Sequence, residues 1–128
     1  FNVAESTANI LKKNGKFVLV LPFFYPIHDS PDDKYRFTEY GLRALLEGKF
    51  KIERLEAIGG IFTLPSVLLH SLIKGIPLLF PKRIKGLVQL VMYALWPFYI
   101  IAQLFSILDI LDKTRRYPTY YFVVAGKR

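Results

Sequence analysis

The stretch Leu21–Leu42, LPFFYPIHDSPDDKYRFTEYGL, decides the fold. An apolar run, Phe17-Val18-Leu19-Val20-Leu21, leads into it and stops at Pro22. A helix signal leads out of it: Thr38 as N-cap, Glu39 in the first turn, then Leu42, Leu45 and Leu46 on one face. The loop between holds prolines, aromatics, His28, three aspartates, Lys34 and Arg36. At the C-terminal end of a strand, such a loop is where an open α/β sheet puts its ligand.

Working outward, Ala4–Lys13 reads as an amphipathic helix with Ala4, Ala8 and Leu11 on one face and Ile10 beside them. Asn14-Gly15 ends it, with the glycine as the left-handed residue. Lys16–Leu21 has no polar interruption, which predicts a parallel central strand buried on both faces. Ser30-Pro31-Asp32-Asp33 reads as the start of a helical turn. Gly48 closes the helix Glu39–Glu47. Phe50–Ala57 alternates imperfectly, with Phe50, Ile52 and Leu55 set against Lys51, Glu53, Arg54 and Glu56, and predicts a half-exposed strand ended by Gly59-Gly60. Tyr117–Lys127 is the last strand, rich in β-branched and aromatic residues.

Residues 58–116 differ in character. Phe62–Ile73 predicts a helix with Pro65 in its first turn and a polar stripe at Ser66, His70 and Lys74. His70 is read as an interfacial residue. Ile76–Phe80 is a short apolar run, and Gly86–Leu108 carries no charge at all. That last segment has the length of a membrane span. Two features oppose a single crossing. Tyr93, Trp96 and Tyr99 lie in its middle, whereas interfacial aromatics belong at the ends of a span, and Pro97 interrupts it. The strand after it must also return to the sheet that holds Phe50–Ala57, which requires an even number of crossings or none. The expectation is a monotopic arrangement on a membrane surface. The alternatives are helices packed on another segment, a homodimer face, or a hairpin span.

The chain has 128 residues, a net charge of +8, 52% hydrophobic residues and a mean hydropathy of +0.29. Residues 1–80 carry ten Lys/Arg and eight Asp/Glu; residues 81–128 carry eight and two. The basic excess brackets the most apolar segment, which suits anionic lipid. Nucleic acid ranks last as a partner, because the basic residues lack interleaved exposed aromatics. The absence of cysteine excludes a thiolate nucleophile or a zinc-cysteine site and fits a reducing cytoplasm. The expected location is the cytoplasmic, peripheral face of a membrane.

Several loop residues have chemistry to offer. A histidine imidazole titrates near neutrality, so His28 is a candidate general base; anchoring the loop to a backbone carbonyl is the other role open to it. Tyr35 and Arg36 are candidates for holding an anionic or planar group, against a salt bridge from Arg36 to a neighbouring aspartate. Phe23, Phe24 and Tyr25 either wall an apolar pocket or bury the loop. His28 with Asp29, Asp32 and Asp33 matches no metal-ligand spacing, and no metal is expected.

Ile10-Leu11-Lys12-Lys13-Asn14-Gly15-Lys16-Phe17, running into Leu19-Val20-Leu21-Pro22-Phe23, resembles a helix-turn-strand segment of class I S-adenosylmethionine-dependent methyltransferases, the type 11-like group. His28, Pro31, Asp33, Tyr35-Arg36-Phe37-Thr38 and Leu42 resemble the loop-and-helix pattern that follows it. Tyr120–Lys127 resembles the last, antiparallel strand. Lys13-Asn14 stand where the family usually has Pro-Gly. The resemblance covers residues 1–60 and 117–128 and leaves the apolar helices as an insertion.

The fold so implied is α/β, the carboxy-terminal half of a Rossmann-like methyltransferase sheet of about three strands. It forms a single partial domain over residues 1–128, with residues 58–116 inserted between the last two strands. The implied activity is methyl transfer from S-adenosylmethionine to a small-molecule or lipid-linked acceptor. His28 would be the base for a hydroxyl acceptor, with Phe23, Phe24, Tyr25, Tyr35 and Arg36 on the substrate side. No G-x-G-x-x-G turn is present, so the cofactor-binding turn is expected upstream of Phe1, and the chain alone is expected to be inactive. The alternative function is a non-catalytic membrane-association or dimerisation module with a methyltransferase-like sheet.

Overall fold

A computed structural model describes residues 2–128. Among them are three strands and five α-helices, arranged as a mixed α/β fold with an open antiparallel sheet. The chain divides into two compact units. One runs to Ile58 and resumes at Pro118–Arg128; the other is Gly59–Tyr117.

The first unit holds the sheet, in the order β1 (Lys16–Pro22), β3 (Tyr120–Lys127), β2 (Phe50–Ile58). β3 lies in the middle, antiparallel to both neighbours, with Lys16 opposite Gly126 and Ile58 opposite Tyr120. β1 and β2 therefore run parallel with β3 between them, joined by the crossover that contains α2 (Glu39–Leu46). α1 (Asn2–Ile10) and α2 cover one face. Ala4, Ala8, Leu42 and Leu46 meet Phe50, Tyr121, Val123 and Ala125 there, and Phe17, Leu19 and Leu21 pack at the margin.

The expectation of a central β1 buried on both faces is corrected. Among the described residues β1 pairs only with β3, and Val18 and Val20 on its other face are 55% and 57% exposed. An unbroken apolar run is compatible with burial on one face or two, and only the layers that cover the two faces of the sheet distinguish them; here α1 and α2 cover one.

Local signals account for most boundaries. The Thr38 hydroxyl accepts from the Gly41 amide at 3.1 Å and caps α2. Gly48 turns the chain at φ +81°. After α1 the left-handed residue is Asn14, at φ 64°, and not Gly15 as expected. Gly15 is needed for a different reason: a Cβ there would lie 2.8 Å from the Lys12 carbonyl oxygen. α1 also ends at Ile10, three residues early, and leaves that side chain exposed. Ser30–Asp33 forms a turn and no helix begins there; the Asp32 and Asp33 amides both donate to the Asp29 carbonyl at 2.8 Å.

β2 explains its own imperfect alternation. The register with β3 slips between Ile52 and Arg54, so Glu53 is an extra residue, a β-bulge. Phe50 and Ile52 before the bulge and Leu55 and Ala57 after it can then share the core-facing side. The Glu53 carboxylate reaches Lys16 at 2.8 Å. Gly126 permits this, since a Cβ on it would stand 2.8 Å from Glu53 Oε1.

The second unit contains α3 (Leu64–Gly75), a 3-10 turn at Ile76–Leu79, α4 (Lys82–Tyr93), α5 (Trp96–Phe105) and a 3-10 segment at Ser106–Leu111. The Gly86–Leu108 segment is broken, and among the described residues no single helix is long and apolar enough to cross a membrane. α4 and the helical stretch from Trp96 are bent by 48°. Pro97 is the physical cause: it has no amide hydrogen, and its ring opposes the carbonyl four residues back, which belongs to Tyr93, the last residue of α4.

The ends of this unit are clasped. The Phe62 amide donates to Asp109 at 2.8 Å, the Thr63 hydroxyl donates to the same carboxylate, and the Ile61 amide donates to Asp112 at 3.2 Å. Carboxylates from the end of the unit thus sit beside the start of α3, where the helix dipole favours negative charge. The Thr114 hydroxyl and the Ile61 amide hold Asp112 below the usual carboxylate range. Gly60 makes room, because a Cβ there would lie 2.7 Å from Asp109 and 2.8 Å from Asp112.

Candidate functional site

Beyond the C-terminal end of β1 the chain forms a cavity of about 360 Å³, within the size range of small-molecule sites. Its apolar floor is Val3 from α1, Leu19 and Leu21 from β1, Phe37, and Leu45 from α2. His28, Asp29, Asp32, Asp33, Lys34 and Tyr35 supply the polar and ionisable side chains around it. Apolar walls with a few convergent polar groups are the usual make-up of a ligand site.

Asp33 organises the loop. Both its oxygens bind the Arg36 guanidinium, one of them at 2.7 Å, and it accepts from the His28 amide at 3.2 Å. Its side chain is only 5% exposed. The Arg36 hydrogen bond is the main reason its carboxyl falls to about 2. Arg36 also donates to the carbonyls of Tyr25 at 3.2 Å, Pro26 at 3.4 Å and Tyr35 at 3.1 Å. Its planar fork fastens the two ends of the loop together, and it does not line the cavity.

His28 Nδ1 lies 3.1 Å from the Pro26 carbonyl and 3.4 Å from the Asp33 carboxylate. Both groups can only accept, so Nδ1 carries the proton in the neutral ring and Nε2 keeps its lone pair. The side chain is 46% exposed, and it meets Tyr25 edge-on at 5.1 Å. The loop anchor and the available nitrogen thus coexist on one residue.

The remaining predicted residues separate into two groups. Tyr35 lines the cavity, with Phe37 5.9 Å away. Phe23, Phe24 and Tyr25 do not line it. Phe23 packs on the core residue Tyr121 at 5.9 Å, and Phe23 and Phe24 extend the ladder by donating to the carbonyls of Thr119 and Pro118. Tyr25 lies on Tyr120 at 5.1 Å, and burial, helped by Tyr25, pushes the Tyr120 phenol up to about 12. The floor residues Val3 and Leu45 and the rim residue Lys34 were not foreseen. No local signal marks them, because helices remote in sequence bring Val3 and Leu45 to β1. Among the described residues no cluster of His, Asp or Glu is arranged to hold a metal ion, and both Asp33 oxygens are already committed.

No family model, no curated protein and no solved structure matches the chain.

Proposed function

We propose that the first unit carries the acceptor side of an S-adenosylmethionine-dependent methyl transfer. The observation that carries this reading is His28 at the cavity, its Nδ1 held beside the Pro26 carbonyl and the Asp33 carboxylate, which leaves Nε2 as the ring nitrogen without those contacts. A hydroxyl acceptor in the cavity gives its proton to Nε2 as its oxygen becomes the nucleophile. The ionised Asp33 then stabilises the imidazolium, and Arg36 acts as a positioning residue that keeps Asp33 and the loop in place. Tyr35 and the apolar floor orient the acceptor.

The strand arrangement supports the same reading. The last strand is antiparallel to its neighbours, as the family resemblance implies, and the outer edge of β1 is unpaired among the described residues. Earlier strands of such a sheet would add there. The described residues do not fit the cofactor itself. β1 ends at Pro22 and β2 runs into Gly59-Gly60, and neither turn carries the G-x-G-x-x-G pattern. The space at Gly60 is taken by Asp109 and Asp112. This chain therefore supplies acceptor binding and proton removal.

The acceptor in this proposal is lipid-linked or delivered at a membrane surface. Thr119, the last residue before β3, accepts from the Phe23 amide at the root of the acceptor loop and donates to the Ile58 carbonyl. The insertion leaves this unit after Ile58 and the chain resumes at Pro118. Methyl transfer from labelled S-adenosylmethionine into a lipid extract, catalysed by the protein as its host expresses it, is the expected result. Absence of any labelled product in lipid and soluble fractions alike contradicts it. The second reading, a non-catalytic membrane-association or dimerisation module, is favoured by one observation: α4 and α5 contain no buried residue.

A further inference from the structure

The second unit distributes its residues in the reverse of a water-soluble core. Its buried residues are Gly60, Ser66, Ile73, Pro77, Asp109 and Asp112, so half of them are polar or charged. Most of its large apolar side chains are outside. On α4, Ile84, Leu87, Leu90 and Val91 form an exposed stripe at helical spacing, while Lys82, Lys85 and Gln89 lie away from it. On α5, Phe98, Ile100, Ile101, Leu104 and Phe105 are exposed over a face about 160° wide, at about 100° per residue.

Charge points to what covers this surface. The unit contains seven Lys/Arg and two Asp/Glu. Both carboxylates, Asp109 and Asp112, are 7% exposed and are spent on the clasp. Apolar and cationic side chains remain outside, with no exposed carboxylate. A second copy of this unit, docked through the same face, would set cation against cation. An anionic lipid leaflet supplies hydrocarbon for the stripes and phosphates for Lys82, Arg83, Lys113, Arg115 and Arg116.

The bend and the clasp decide the mode. α5 has 10 residues, about 15 Å, against a hydrocarbon core of about 30 Å, and Lys82–Tyr93 with Trp96–Leu111 reach the length of a span only as a pair bent by 48°. The clasp returns the end of the segment to its beginning. Trp96, with Tyr93 at 6.4 Å and Tyr99 at 5.3 Å, marks the bend between α4 and α5 and has the chemistry of the headgroup boundary.

We infer that Gly59–Tyr117 is a monotopic anchor for an anionic membrane leaflet, with the exposed faces of α4 and α5 embedded from one side. This holds whether or not the first unit transfers methyl groups, and its test needs no turnover. Trp96 is the single tryptophan of the chain and therefore its own depth probe. The chain is mixed with vesicles of phosphatidylcholine containing phosphatidylglycerol, with brominated acyl chains. The expected result is a blue shift and quenching of Trp96, weaker with phosphatidylcholine alone and weakened by salt. Joint replacement Lys82→Glu, Arg83→Glu, Arg115→Glu and Arg116→Glu, all at exposed positions, lowers partitioning by more than about tenfold. Three results overturn the inference: no quenching by either vesicle, equal quenching by both with no effect of salt, or a blue shift that grows with protein concentration in a chain that stays out of the vesicle fraction.

Discussion

Asp33 and Arg36 show how one ion pair can set a loop. The pair is local, three residues apart, and the sequence already made it one of two readings of Arg36. What the sequence could not supply is that the same guanidinium also holds the Tyr25 and Pro26 carbonyls, eleven and ten residues back. The pH dependence follows from the carboxyl. Its value in the folded chain is about 2, below the ordinary 3.8, so its contribution is fully present above about pH 4 and is lost as pH falls through 2. Urea titrations of the native chain and Asp33→Asn are expected to differ at pH 5 and to converge as pH falls from 4 to 2. A difference that persists unchanged at pH 2 contradicts this role. His28 was likewise read two ways: its Nδ1 contact with the Pro26 carbonyl fits the loop anchor, and the general base belongs to the proposal.

At the scale of elements, legibility follows the range of the interaction. The Thr38 cap, the Gly48 turn and Pro65 in the first turn of α3 are set within a few residues, and each was foreseen. The edge position of β1 and the bulge at Glu53 depend on β3, which lies far along the chain, so the pattern appeared only as an unbroken run and an imperfect alternation. The clasp spans 46 to 51 residues and had no signal at all. It makes a sharp prediction. Gly60→Ala places a methyl group within 2.8 Å of both Asp109 and Asp112, so the Phe62 and Thr63 bonds cannot survive together. Amide exchange at Ile61 and Phe62 is expected to rise well above that of the native chain, while the β3 amides keep their protection. Unchanged exchange at those two amides would rule out the clasp. In the sheet, Leu42 is fully buried between α2 and β3, and Leu42→Ala is expected to cost about 2–5 kcal/mol by chemical denaturation. A loss well under 1 kcal/mol would show that α2 does not close that core.

Over the whole molecule, two bodies of opposite character share one chain. One is a small sheet with a cavity at the end of β1; the other exposes apolar and cationic side chains and buries its carboxylates. Composition announced the second through its high hydropathy and uneven charge. The residue pattern of the loop after β1 pointed to the first. The cavity floor could not be read, because it is assembled from α1, β1 and α2. The proposal of acceptor chemistry rests above all on His28. The most direct measurement is turnover of the host-expressed protein with labelled S-adenosylmethionine, comparing the native residue with His28→Asn, whose amide nitrogen takes the place of Nδ1 beside the Pro26 carbonyl. The account predicts a loss of about 10²-fold or more in kcat, with the loop fold preserved. Full turnover in His28→Asn would contradict it and leave His28 as a loop anchor alone.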